Sequence, residues 1–232
     1  MTKMNFFEKY PEFINEGTTG VEGQRLEYRY KAIIDNQRNS FKNAKVLDLA
    51  SHDGRWSLAS LEAGASKVVG IEGRENLVEK SNKILEKYGY GDKFTCFKED
   101  LNNKILKFKE GSFDIILCLG FFYHTMHHFK LLSEFKRIKP KLIILDGVFN
   151  PTNFPGLVFG LEKVSRDGSS LKTNKKKEDA VVGYPTILGT KMMLNHLDFK
   201  FKILNWMDFA NTSWTGIDDY KKNRRLTFVI EL

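Results

Sequence analysis

The stretch VLDLASHDGRWSLASLEAGASKVVGIEGRENLV, residues 46 to 78, holds residues whose types and spacing could do chemistry. An apolar run ends at Asp48, a tight turn of small residues passes through Ala50, Ser51, His52 and Gly54, and Trp56 opens a helical pattern. A strand, a tight turn and a helix start in that order leave backbone N–H groups and a carboxylate facing one crevice, which suits a nucleoside with a charged tail. Glu72, followed by Gly73, stands about 24 residues beyond Asp48, the separation at which a carboxylate takes both hydroxyls of a ribose in such folds. Asp100, next to Leu101 in FKEDL, is a third acid in register at the end of the next apolar run.

A second group follows in FDIILCLGFFYHTMHH, residues 113 to 128, where an apolar run ends near Gly120 and Tyr123 and His124 come next. Histidine titrates near neutrality and can remove a proton from a hydroxyl or amine, which makes His124 a candidate base, with Tyr123 beside it, against the alternative that these histidines simply face solvent. His124 and His128 also have the i, i+4 spacing of a zinc pair on a helix. Nearby carboxylates are lacking apart from Glu134, so no metal is expected.

These residues need a scaffold, and the apolar runs supply one. From Ala44 onward short strand patterns at 45–49, 67–71, 93–97, 113–119 and 141–145 alternate with helical ones at 55–63 and 74–88. Such alternation produces an α/β fold with a doubly wound, mostly parallel sheet, helices on both faces and a ligand crevice at the carboxyl ends of the strands. A helix at 190–197, a strand at 199–206 and an antiparallel C-terminal strand at 225–232 complete seven strands. Residues 1–40 read as an N-terminal helical cap with a glycine-rich break at 16–23, and 41–232 as the α/β domain. The Pro/Gly-punctuated segment at about 147–190 reads as an insertion or lid.

In this order the residues resemble the class I (Rossmann-like) S-adenosylmethionine-dependent methyltransferase family. Asp48 takes the place of the acid of that family's first motif, with Ala50, His52 and Gly54 at its three glycine positions, so two glycines are replaced. The resemblance implies S-adenosyl-L-methionine as cofactor, the turn lying under its methionine part and Asp48 orienting its amino group. It further implies Glu72 on the ribose, Asp100 accepting from the adenine amino group with Leu101 beside the ring, and Gly120 to His124 bordering the methyl-transfer end. Against the rival dinucleotide reading, G-x-G-x-x-G is absent and an acid at the end of the first strand would repel a pyrophosphate.

At 232 residues with 41% hydrophobic composition, the chain fits one α/β domain. Two cysteines, Cys96 and Cys118, give no disulfide scaffold, and no apolar run reaches the roughly 18 residues of a membrane span. The expected location is cytoplasmic. The net charge of +8 invites an RNA partner, but the lysines are scattered and the one concentrated run, KTNKKK at 172–177, reads as a solvated loop. A small-molecule acceptor, methylated on O, N or S beneath the lid, is therefore the first expectation. An RNA (tRNA) acceptor is the second, and a non-catalytic S-adenosylmethionine-binding module the third. Asp114 reads as structural, and Asp146 as reaching substrate or capping a loop with equal weight. Trp56 and Trp214 read as packing residues, with ligand contact a lesser option for Trp56, and Arg25 and Arg29 as a solvated helix face, with binding of an anionic substrate or the cofactor carboxylate the lesser option.

Overall fold

The structure, a computed structural model, describes residues 5–15, 23–165, 168–172, 176–210 and 214–232. Short α1 (Glu12–Asn15) precedes α2 (Gly23–Arg29), which runs through a π-helical turn (Tyr30–Ile34) and a 3-10 turn (Asp35–Gln37) into α3 (Arg38–Phe41). Most of the expected break at 16–23 and the middle of the KTNKKK run lie outside the described residues.

The alternating α/β part follows in order: β1 (Lys45–Leu49), α4 (Arg55–Glu62), β2 (Lys67–Glu72), α5 (Glu75–Lys87), β3 (Phe94–Lys98), α6 (Leu101–Lys104), β4 (Ile115–Leu119), α7 (His128–Ile138) and β5 (Leu142–Val148). Next come β6 (Leu157–Lys163), β7 (Asp179–Pro185), α8 (Ile187–His196), β8 (Lys200–Ile203), α9 (Asp218–Lys221) and β9 (Arg225–Glu231). The main sheet has seven strands in the order β3-β2-β1-β4-β5-β9-β8, and β9 runs antiparallel to both of its neighbours. Chain order reverses between β1 and β4, and in open α/β sheets a ligand crevice opens at that switch point.

Central strands covered on both faces must be apolar throughout, and every residue of β4 is buried. One core face packs α4, α5 and the N-terminal aromatics Phe6, Phe7, Phe13 and Tyr30. The other gathers Leu101 of α6, Leu131 and Phe135 of α7, and Leu194 of α8. Helix α7 has no counterpart among the sequence-based elements, although its buried Leu131, Leu132, Phe135 and Ile138 keep helical spacing.

The segment expected as an irregular insertion contains a regular antiparallel hairpin, β6 with β7, detached from the main sheet. Its alternation is hidden in the sequence because outward positions are apolar too: Phe159 and Leu161 are 69% and 71% exposed. The expected strand at 199–206 stops at Ile203, and Trp206 instead sits in a 3-10 turn, stacked 3.6 Å from the Tyr220 ring. Asp114 is structural, accepting from the Lys45 N–H at 2.9 Å and pairing with Lys141. Among the described residues no helix is long and apolar enough to cross a membrane.

Candidate active site

The turn after β1 keeps the backbone of a glycine turn without two of its glycines. Ala50, His52 and Gly54 all lie in the left-handed region, with φ of 51°, 54° and 81°. Residues with a side chain pay roughly 1–2 kcal/mol there, and histidine is among the types that visit it most readily. Gly54 has no such substitute. A Cβ at this position would stand 2.8 Å from Leu85 Cδ2 and 3.0 Å from Ser81 Cβ, both on α5.

Glu72 at the tip of β2 locks this turn: Oε2 accepts from the His52 N–H (3.1 Å) and Oε1 from the Arg74 N–H (2.9 Å). Each oxygen keeps a second lone pair for a ligand. Asp100 caps α6, its Oδ1 accepting from the Asn102 N–H at 2.9 Å. Ala50, His52, Trp56, Glu72, Gly73, Asp100, Leu101, Gly120, Tyr123 and His124 line one cavity of about 480 Å³. Asp48, Ser51 and Gly54 stand behind its wall. Asp48 is fully buried and accepts from Ser57 Oγ at 2.6 Å, and burial pushes its pKa up to about 7. Ser51 is buried with its Oγ 3.5 Å from Cys96 Sγ.

His124 Nδ1 lies 2.6 Å from Oε2 of Glu162, a β6 residue that sequence reasoning missed. Burial alone would raise the Glu162 pKa, but hydrogen bonds from His124 and Ser170 outweigh it and hold the carboxyl below its usual range. An ionised carboxylate only accepts, so Nδ1 carries the proton toward Glu162, and in the neutral tautomer so fixed Nε2 holds the lone pair. His128 points elsewhere, its Nε2 3.0 Å from the Gly183 carbonyl, and burial lowers its pKa to about 4. The two i, i+4 histidines thus serve different partners, and among the described residues no three His, Cys, Asp or Glu side chains are grouped as a metal site would need.

The connection between β6 and β7 is pinned over the β2 end of the cavity. Arg74 Nη2 donates to the Ser169 carbonyl at 2.9 Å, and Leu171 packs so close to Gly73 that a Cβ there would lie 2.3 Å from its Cδ1. The opposite end is walled by arginines. Arg25 makes a two-pronged pair with Asp219 (2.8 and 2.7 Å). Arg29 is 8% exposed, which overturns the expected solvated face. It lies 4.9 Å from the Trp56 ring and donates to Asp146 at 2.8 Å. Arg225 donates to the same carboxylate through Nε (2.9 Å) and Nη2 (2.8 Å). Burial would raise Asp146, yet Arg225 and Arg29 bring its pKa down to about 2. Of these residues Asp146 and the Arg25/Arg29 pair carried a sequence signal, whereas strand pairing alone brings Arg225 to the cavity and Glu162 to His124.

The family model described as a methyltransferase domain matches residues 46–140. Protein arginine N-methyltransferase 1 of Saccharomyces cerevisiae is 28% identical over 128 residues, covering 54% of this chain and 36% of that protein. The chain spans roughly a third of the length of the curated relatives it matches. A solved S-adenosylmethionine-dependent methyltransferase from Mesorhizobium loti superposes with a TM-score of 0.65 at 15% identity, covering 90% of this chain and 99% of that one. The N-terminal domain of EvdMO1, crystallised in the presence of SAH and D-fucose, gives 0.62 at 18% identity, covering 84% and 78%. Residues 46–140 thus match a methyltransferase domain, and the fold around them is that of solved S-adenosylmethionine-dependent methyltransferases.

Proposed function

We propose that this chain transfers a methyl group from S-adenosylmethionine to an O, N or S atom of a small molecule, with His124 as the base. The observation that carries this reading is the His124–Glu162 pair, which opens on the same cavity as Glu72 and the left-handed turn. The residues present fit the cofactor. Glu72 retains acceptor capacity for the ribose hydroxyls, Asp100 and Leu101 flank the place of the adenine, and the turn from Ala50 to Gly54 supports the methionine part. Asp48 acts through the turn, by holding Ser57.

S-adenosylmethionine supplies an electrophilic methyl group on a sulfonium. His124 Nε2 takes the proton of the incoming nucleophile, a contribution of about 10²–10⁴-fold. Glu162 fixes the imidazole orientation, and Tyr123, its ring 4.1 Å from that of His124, shapes the acceptor side. The described parts of the N-terminal cap and the β6–β7 hairpin exclude water, so that alignment, worth up to roughly 7–11 kcal/mol, is not lost to solvent. A cytoplasmic setting suits the free thiols of Cys96 and Cys118.

The resemblance to protein arginine N-methyltransferases raises a guanidinium acceptor as a second reading, but the arginines at the β4 side of the cavity would repel it. Titration of the protein with S-adenosylmethionine, S-adenosylhomocysteine and NADH tests the cofactor: the first two bind, NADH does not, and Glu72→Ala weakens binding at least about tenfold. Formation of S-adenosylhomocysteine with a metabolite extract, lost on adding nuclease, would point to RNA. No product with any extract would leave the non-catalytic module. In the active assay Glu162→Gln lowers kcat by about 10–10³-fold with little change in KM, as expected of a residue that positions a base.

A further inference from the structure

The two ends of the cavity differ in charge. The acids Glu72 and Asp100 belong to the β2 and β3 side of the switch point, while Arg225 belongs to β9, beyond β4 and β5. Arg225 begins β9 opposite Val148 and turns its side chain, 8% exposed, against Asp146. Its Nη2 lies 3.5 Å from the place a Cβ on Gly120 would take, and its guanidinium carbon is 5.9 Å from the Tyr123 ring. Arg225 therefore stands next to the residues that border the acceptor.

Asp146 is heavily engaged. Besides Arg29 and Arg225 it accepts from the Tyr220 hydroxyl (2.9 Å) and from Thr227 Oγ1 (2.7 Å). One carboxylate nevertheless balances only one of its two guanidiniums, and Arg25 is already matched by Asp219. Among the described residues a unit of positive charge is left unmatched, buried, on the cavity wall, where Arg29 Nε has no hydrogen-bond partner. A purely structural ion cluster gains most when its charges match, because an unpaired buried charge costs several kcal/mol. The cofactor of the proposed reaction does not supply the missing anion: even with its carboxylate counted, its sulfonium and ammonium leave it with a net positive charge.

We propose that the β4–β9 end of the cavity is an anion subsite, in which Arg225, assisted by Arg29, pairs with a carboxylate carried by the small-molecule acceptor. The subsite rests on the methyltransferase reading above and narrows its substrate class. A single surplus charge matches a monoanion better than a phosphate dianion. Tyr123 lines the same end of the cavity and is backed by the parallel ring of Tyr184, 6.1 Å away, which gives that end a flat aromatic wall, so an aromatic acid is a suitable probe.

The test uses the whole protein saturated with S-adenosylhomocysteine and titrated, by NMR, with benzoate, benzamide and inorganic phosphate. Benzoate is expected to bind at least tenfold more tightly than benzamide and more tightly than phosphate. In Arg225→Gln the acid-to-amide ratio falls below threefold, while the affinity for S-adenosylhomocysteine stays within about threefold of the wild type; Arg225→Lys gives an intermediate ratio. Equal binding of acid and amide by the wild-type protein overturns the subsite, as does a ratio unchanged in Arg225→Gln. Tighter phosphate binding overturns the carboxylate assignment. If Arg225→Gln does not fold, the wild-type ratio decides alone. Failure to bind S-adenosylhomocysteine at the outset refutes the methyltransferase reading itself, whereas its binding without a preference for benzoate refutes only the subsite.

Discussion

Asp48 on β1 and Asp146 on β5 flank the switch point, both buried and both near the carboxyl ends of central strands, yet their surroundings drive them in opposite directions. Asp48 has one hydroxyl, from Ser57, while Asp53 and Glu72 repel its charge, so burial wins and its pKa rises to about 7. Asp146 has two guanidiniums and two hydroxyls, and its pKa falls to about 2. The half of the cavity around Asp48 is held mainly by backbone geometry, the half around Asp146 by charge. That difference accords with the proposed division of the cavity, a nucleoside on one side and an anionic acceptor on the other.

The comparison breaks most visibly at Asp146. Asp146→Asn leaves two buried guanidiniums without a counter-charge and should lower the unfolding free energy by about 3–5 kcal/mol in urea titration. A loss below 1 kcal/mol would mean that the arginines relax to solvent. The wild-type contribution of this group is present above the ordinary carboxylate pKa near 4 and disappears as pH falls toward 2.

On the other side, backbone geometry should count. Gly54→Ala must hold φ near 81° and push against Leu85 and Ser81, at an expected cost of about 2–4 kcal/mol, together with weaker S-adenosylhomocysteine binding. Calorimetry of the variant checks both effects.

Asp48 sharpens the contrast by its sign. Its folded-state pKa lies above the unfolded value near 4, so its stabilising contribution is full below pH 4 and is lost as pH rises through about 7. Asp48→Asn keeps an acceptor for Ser57 and should therefore stabilise the protein at pH 8 by about 1–3 kcal/mol, with little effect at pH 4. Thermal unfolding at the two pH values measures this, and an equal shift at both would refute the assignment. The smallest effect is expected at Ala50, where Ala50→Gly relieves the left-handed strain but loosens the unfolded chain, for a net gain of about 0.5–1 kcal/mol.

How much was legible in the sequence follows the same division. Asp48, the small-residue turn, Glu72 and Asp100 lie within about 55 residues of continuous strand–turn–helix pattern, so local periodicity alone located the α/β class and the half of the cavity proposed here for the nucleoside. The same signal located Gly120, Tyr123 and His124 at the end of β4. It overstated Asp48 as a ligand-facing group, because a strand's period assigns a face but not the depth at which a side chain ends.

The half of the cavity proposed for the acceptor was legible only in part, for it is assembled from four segments far apart in the chain. Arg29 comes from α2, Asp146 from β5, Glu162 from a hairpin whose apolar outer face hides its alternation, and Arg225 from the first residue of the antiparallel strand β9. Composition and spacing determined the fold class, the switch point and the acids at the tips of the first strands, since each follows from contacts between residues near in sequence. Which charges meet, and which one remains unmatched, was decided only by tertiary structure, because the pairing of β9 with β5 and the docking of α2 bring together groups that no local pattern links.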